Sequence, residues 1–275
     1  MKVYIVGLGL IGASYAESLN DLGHTVYGFD QDPAVVDQAL KEKLIETSHP
    51  AMIGEVDLVI IALYPKATIE FITTHAHQFK VGQIITDVTG IKKGIVTAIE
   101  AMMPKGVHYV SHHPMAGKEH SGYAFKDKAL FYGANAIVIK TCNTAKTAAS
   151  KLKECLLSMG FKSVTDASIE EHDQKVAYTS QLPHALAMAL VNLEDDDTIL
   201  RFTGNSFRDL TRIALINEVL WGDVFIENRH ILTDKIARLV DELTMIKTLL
   251  ERSDKEELLG YMQAVKKKRD SYGRH

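Results

Sequence analysis

The apolar run Val3-Tyr4-Ile5-Val6 passes directly into Gly7-Leu8-Gly9-Leu10-Ile11-Gly12 and then into an amphipathic stretch, and a second β-branched run ends at Asp30. Glycines at this spacing permit a turn tight enough to start a helix almost against the strand that precedes it. Strand, glycine turn, helix, strand and acid, in that order, open a doubly wound α/β sheet, and few other folds accommodate them. The order also implies a ligand. Backbone N–H groups at a helix amino terminus suit a pyrophosphate, with residues Gly7, Leu8, Gly9, Leu10, Ile11 and Gly12 as its cradle. Asp30, 18 positions beyond Gly12, is placed to accept hydrogen bonds from ribose hydroxyls and to repel a 2′-phosphate. NAD is therefore expected rather than NADP.

The pattern continues. Short apolar runs "KVYIV", "TVYGFD", "DLVIIAL", "QIITDV", "HYVSHHP", "NAIVIK" and "KSVTDA" alternate with helical stretches, the mark of βαβ units on a parallel sheet. Leu58 to Leu63 is apolar throughout, as a strand covered on both faces should be. After about Thr165 the texture changes. Ser168 and Glu171 form a capping-box pattern, and helical periodicity follows over 168–194, 213–230, 231–251 and 255–268. The expected fold is an α/β, Rossmann-type NAD-binding domain over residues 1–165, followed by an all-α domain over 166–275. Helices such as "LVDELTMIKTLL" carry wide apolar stripes that four helices have little room to bury. A second subunit would cover them, and so would packing on the sheet domain; a homodimer through the helical domain is the expectation.

With 31 basic against 35 acidic residues and a net charge of −4, nothing draws the chain to nucleic acid or to an anionic membrane. No run approaches the ~20 apolar residues of a membrane span, and no targeting pattern opens the sequence, so the cytoplasm is expected. Cys142 and Cys155 show no metal or redox spacing, and both are read as core residues. No metal is expected.

Sites in open α/β sheets lie at the carboxyl ends of the strands. Tyr64-Pro65, Thr89-Gly90-Ile91-Lys92 and the cluster "VSHHPMAGKEHSG" at 110–122 all fall on that rim. Side chains alternate along a strand, so His112 and His113 cannot both face one pocket. His113 precedes Pro114, which restrains its backbone. A neutral imidazole beside a nicotinamide suits oxidation of an alcohol, taking the hydroxyl proton as hydride departs.

The stretches "VGLGLIGAS", "HPMAGKEHSG" (113–122), "EEHDQKVAYTSQLPHALA" and "FRDLTRIA" (207–214) resemble, in order and spacing, the prephenate/arogenate dehydrogenases of tyrosine biosynthesis. The resemblance implies oxidative decarboxylation of prephenate to 4-hydroxyphenylpyruvate, CO2 and NADH, and a helical dimerisation domain. It makes His113 the catalytic base and Arg212 the partner of a substrate carboxylate. It also sets Glu119 at the substrate mouth and His184 against the pyruvyl side chain, and gives His172, Asp173 and Asp209 supporting places. Many relatives carry a serine near the reacting hydroxyl where this chain has Gly90; Thr89 or a water would have to take its part. Arogenate is the nearest rival substrate. A dehydrogenase of the 6-phosphogluconate type and a silent NAD-binding protein are more distant readings.

Overall fold

The computed structural model describes residues 1–118 and 120–273. Five parallel strands form the main sheet: β1 (Lys2–Val6), β2 (Thr25–Phe29), β3 (Leu58–Ile61), β4 (Ile84–Asp87) and β5 (His108–Tyr109), in spatial order β2-β1-β3-β4-β5. The order reverses at β1, which places the glycine turn at the switch point where such sheets bind ligands. Helices α1 (Leu10–Asp21), α2 (Pro33–Lys41), α3 (Pro65–His75) and α4 (Ile95–Met102) make the crossovers.

Period-two alternation feeds two apolar layers. Val3, Ile5, Leu58 and Ile60 join one cluster, with Leu19 of α1. Tyr4, Val6, Val59 and Ile61 join the other, with Ile72 of α3 and Ile99 of α4. All four residues of β3 are buried, so truncating one, as in Ile60→Ala, removes about 2–5 kcal/mol.

The remaining strands do not extend this sheet. β6 (His112–Met115), β7 (Asn135–Ile139) and β8 (Ser163–Ala167) form a separate three-stranded sheet, β6 antiparallel and β8 parallel to β7. The run "HYVSHHP" is thus two strands. Val110 N–H still donates to Ile85 O of the first sheet at 2.9 Å, whereas Ser111 O accepts from Ile139 N of the second, also at 2.9 Å. Helix α5 (Lys146–Ser158) connects β7 to β8.

Helices follow: α6 (Ile169–Val176), α7 (Leu182–Val191), α8 (Asn205–Thr211), α9 (Glu218–Glu227), α10 (Arg229–Arg252) and α11 (Lys255–Ser271). Half of the expected capping box forms. Ser168 Oγ accepts from Glu171 N at 3.1 Å, but the Glu171 carboxylate pairs with Lys175. One π-turn, Ala177–Gln181, links α6 to α7, within the stretch expected to be a single helix. Helix α8 lies in a stretch the periodicity assigned to a joint. The described chain divides into two compact units, Met1–Asn228 and Arg229–His275, so α6 to α9 share a unit with both sheets. Among the described residues no helix is long and apolar enough to cross a membrane. Of the two cysteines expected in the core, Cys155 is buried but Cys142 is exposed; it follows the end of β7, where the chain turns at the surface toward α5.

Candidate active site

The three glycines of the first turn have different tasks. Gly7 takes φ of +85°, and a Cβ there would lie 2.6 Å from Ala62 O. At Gly12 a Cβ would lie 1.8 Å from Gly7 O. Both are required by the close approach of α1 to the strands. Gly9 meets nothing within 4 Å, so no protein atom accounts for its missing side chain. An open cradle at the start of α1, with no acidic residue in the first turn and no side-chain cap, fits a pyrophosphate approaching the backbone. Asp30 completes the fit. Its two carboxylate oxygens accept from Leu8 N (2.7 Å) and Asp32 N (3.0 Å), which fixes its orientation and leaves each oxygen a further lone pair for a ribose hydroxyl. Leu10 is buried and Ile11 half-buried in the first turn. Tyr64 ends the segment after β3, exposed, its hydroxyl accepting from Asn217 Nδ2 at 3.3 Å, and Pro65 begins α3.

Beyond β4 lies a buried polar cluster that the sequence did not announce. Lys92 is fully buried, and its Nζ donates to Asp87 Oδ1 (3.0 Å), Thr89 Oγ1 (3.3 Å) and His112 O (2.7 Å). All three ammonium protons are therefore satisfied. Tyr109 OH donates to the other Asp87 oxygen at 2.6 Å. Burial alone would raise the Asp87 pKa, but the Lys92 charge and the Thr89 and Tyr109 hydrogen bonds outweigh it and hold the carboxyl well below its usual range. Removing one partner of such a buried pair costs about 3–5 kcal/mol. The cluster ties the loop after β4 to β6. The Thr89 hydroxyl is spent within it, donating to Asp87 and accepting from Lys92.

The two neighbouring histidines point apart, as strand alternation requires. His112 is fully buried, with Nε2 2.7 Å from Tyr15 OH and Nδ1 2.6 Å from Thr86 Oγ1. Burial, with the Lys92 charge, lowers its pKa to about 3, so it is a neutral core group bridging α1, β4 and β6. His113 is only partly buried, and its Nδ1 lies 2.9 Å from His172 Nε2. His172 Nδ1 lies 2.7 Å from Asp173 Oδ1. Asp173 in turn accepts the backbone N–H groups of Lys92 (3.1 Å) and Lys93 (2.9 Å). An acceptor-only carboxylate fixes the protons along this line: His172 donates from Nδ1 and accepts at Nε2, so His113 donates from Nδ1. Among the described residues the His113 Nε2 lone pair has no hydrogen-bond partner. It faces Gly90, where an added Cβ would stand 3.6 Å away with only the imidazole near it. Burial first, then the neighbouring His172, Lys92 and His112, keep the His113 pKa well below the ordinary histidine value.

The structure thus brings Gly90 and His113 together, and joins His172 and Asp173 to them more directly than their sequence reading implied. His184, on α7, donates Nδ1–H to Ser180 O at 2.8 Å and stacks on Trp221 with ring centroids 3.7 Å apart. Trp221, the only tryptophan of the chain, is a contact that periodicity could not supply. Arg212 opens a short 3-10 turn, Arg212–Ala214, that packs against α7. Glu119 lies outside the described residues.

A family model described as "Prephenate dehydrogenase, nucleotide-binding domain" matches residues 15–165, and one described as "Prephenate dehydrogenase, dimerization domain" matches 168–264. A prephenate dehydrogenase from Bacillus subtilis is 32% identical over 98% of this chain and 75% of its own. A cyclohexadienyl dehydrogenase from Zymomonas mobilis is 27% identical over 97% of this chain and 94% of its own. Among solved structures, the prephenate dehydrogenase of A. aeolicus in complex with hydroxyphenyl propionate and NAD+ superposes with a TM-score of 0.86, at 29% identity, over 99% of this chain and 98% of that one. Two matched domains in sequence order, and likeness over nearly the whole length, carry one conclusion: the chain belongs to the prephenate dehydrogenase family.

Proposed function

We propose that the protein is an NAD-dependent prephenate dehydrogenase that converts prephenate to 4-hydroxyphenylpyruvate and CO2. The observation that carries this reading is the Nε2 of His113, a neutral acceptor with no hydrogen-bond partner among the described residues, facing Gly90 in the loop after β4. Gly7 to Gly12 and Asp30 hold the nucleotide in this reading, with Tyr64 and Pro65 on the rim beside it. NAD, when bound, supplies the acceptor for the hydride that leaves the ring carbon bearing the hydroxyl. His113 takes the hydroxyl proton at Nε2, and loss of the ring carboxylate as CO2 lets the ring become aromatic. Arg212 offers a planar fork suited to a substrate carboxylate. The space over Gly90 admits the reacting hydroxyl, or a water bridging to it, where relatives hold a serine. Residues 1–165 carry the nucleotide and 166–275 the substrate-side helices in this scheme.

One observation favours a second reading, arogenate. His184 spends its Nδ1–H on a backbone carbonyl, and burial lowers its pKa. Its Nε2 is then an acceptor, which matches the ammonium of arogenate better than the ketone of prephenate. Purified protein supplied with each acid and with NAD or NADP, and followed by absorbance of the reduced nicotinamide, decides. Turnover of prephenate with NAD is expected. A large preference for arogenate establishes the second reading, and tight NAD binding without turnover of either points to a silent nucleotide-binding protein.

The protein is further proposed to be a homodimer. Ile236, Val240, Leu243 and Leu250 recur along one face of α10 and are exposed, an apolar stripe that supports pairing with a second copy.

A further inference from the structure

Behind His113 lies a line of groups longer than a base requires. His172 and Asp173 are both almost fully buried. Asp173 is held by the two backbone N–H groups at Lys92 and Lys93, and Asn228 Nδ2 fastens its backbone carbonyl at 3.1 Å. That is much construction for a residue whose one side-chain hydrogen-bond partner among the described residues is the neighbouring imidazole. Among the described residues the charged and titratable groups around the two rings are Lys92, Asp87, His112 and Asp173. Among the described residues an imidazolium at His113 would have no carboxylate in hydrogen-bond contact, whereas one at His172 lies 2.7 Å from Asp173. In a poorly hydrated interior that difference decides where a positive charge rests.

We infer that His172, backed by Asp173, is a positioning residue that sets the tautomer of His113 and becomes the resting place of the proton removed from substrate. The step balances. The hydroxyl proton arrives at His113 Nε2 as the Nδ1 proton of His113 passes to His172 Nε2, so His113 ends neutral as the other tautomer and His172 ends as imidazolium paired with Asp173. The inference rests on the reading of His113 as the base, but the ring protons can be observed without any substrate.

Nitrogen-15 NMR of histidine-labelled protein is the test. At neutral pH His113 is expected to carry its proton on Nδ1, with Nε2 bare. On acidification the first proton taken up by the pair should appear at Nε2 of His172. A first proton at Nε2 of His113, with His172 still neutral, overturns the inference. In His172→Gln, whose amide oxygen can still accept from Nδ1, the His113 tautomer should persist while kcat falls about 10- to 100-fold. In His172→Leu the tautomer should also be lost and the acid limb of the pH–kcat profile should move. Wild-type kcat and pH profile in both variants would overturn it equally. Absence of turnover in the wild type would count against the proposed reaction alone, since the NMR titration still decides the relay.

Discussion

Gly9 and Gly12 are identical side chains with different obligations, and alanine separates them. Gly12→Ala drives a Cβ into Gly7 O and should lower Tm by many degrees or prevent folding, as calorimetry without nucleotide will show. Gly9→Ala has room and an ordinary φ of −72°, so Tm should hold while NAD affinity, measured by titration, falls at least about tenfold, roughly the 1.4 kcal/mol of one lost close contact. His113→Asn should leave KM nearly unchanged and lower kcat by about 10²- to 10⁴-fold, the usual worth of a positioned base. An undiminished kcat would remove His113 from the chemistry. At this scale much was legible. The glycines, Asp30 and the outward turn of one of two adjacent histidines all follow from spacing and alternation. The Asp87–Lys92 pair did not, because what encloses the ammonium includes the backbone carbonyl of His112 on another strand, and a carbonyl brought in by the fold has no local signature. Nor could residue type alone show that the Thr89 hydroxyl was already spent.

Among the elements, β6 is the one whose chemistry is tied to its stability. His112 joins it to α1 and β4 as a neutral ring whose folded pKa is about 3, against roughly 6.5 when unfolded. The unfolded chain therefore binds this proton first as pH falls. The stabilisation is complete above ~6.5 and declines steadily as the pH falls toward the folded value, by about 1.4 kcal/mol per pH unit from this one group. His113 and His172, also depressed by burial, add to the same trend. Urea midpoints measured from neutral pH down to about 5 should fall accordingly, and His112→Gln should flatten the slope by one proton. An unchanged slope would mean that His112 is not neutral in the fold. The division of "HYVSHHP" into two strands was not readable beforehand, since no glycine or proline interrupts the run between Tyr109 and His112. Only the pairing partners, Ile85 on one side and Ile139 on the other, separate them. The π-turn at Ala177–Gln181 was equally hidden, because its sequence keeps helical periodicity.

For the whole molecule, the apolar stripe of α10 sets the expectation. Leu243→Asp places a charge on that stripe without disturbing a buried contact, as Leu243 is exposed in the single chain. Light scattering should report a dimer for the wild type and a monomer for the variant, and a variant that stays dimeric would place the contact elsewhere. The plan of a sheet-bearing first part and a helical last part was visible in the change of texture near Thr165. The assignment of α6 to α9 to the same compact unit as the sheets was not, because composition records what a segment is made of and not what it leans on. At Ser111 the chain crosses from the first sheet to the second. Within a few residues a single backbone is laced to both sheets, so neither can slide without tearing the other's ladder, and the imidazole at 113 is a fixed datum. In the proposed reaction, adaptation to one cyclohexadienyl acid or the other would then fall to the short helical pieces that carry His184 and Arg212, while the proposed proton acceptor stays put.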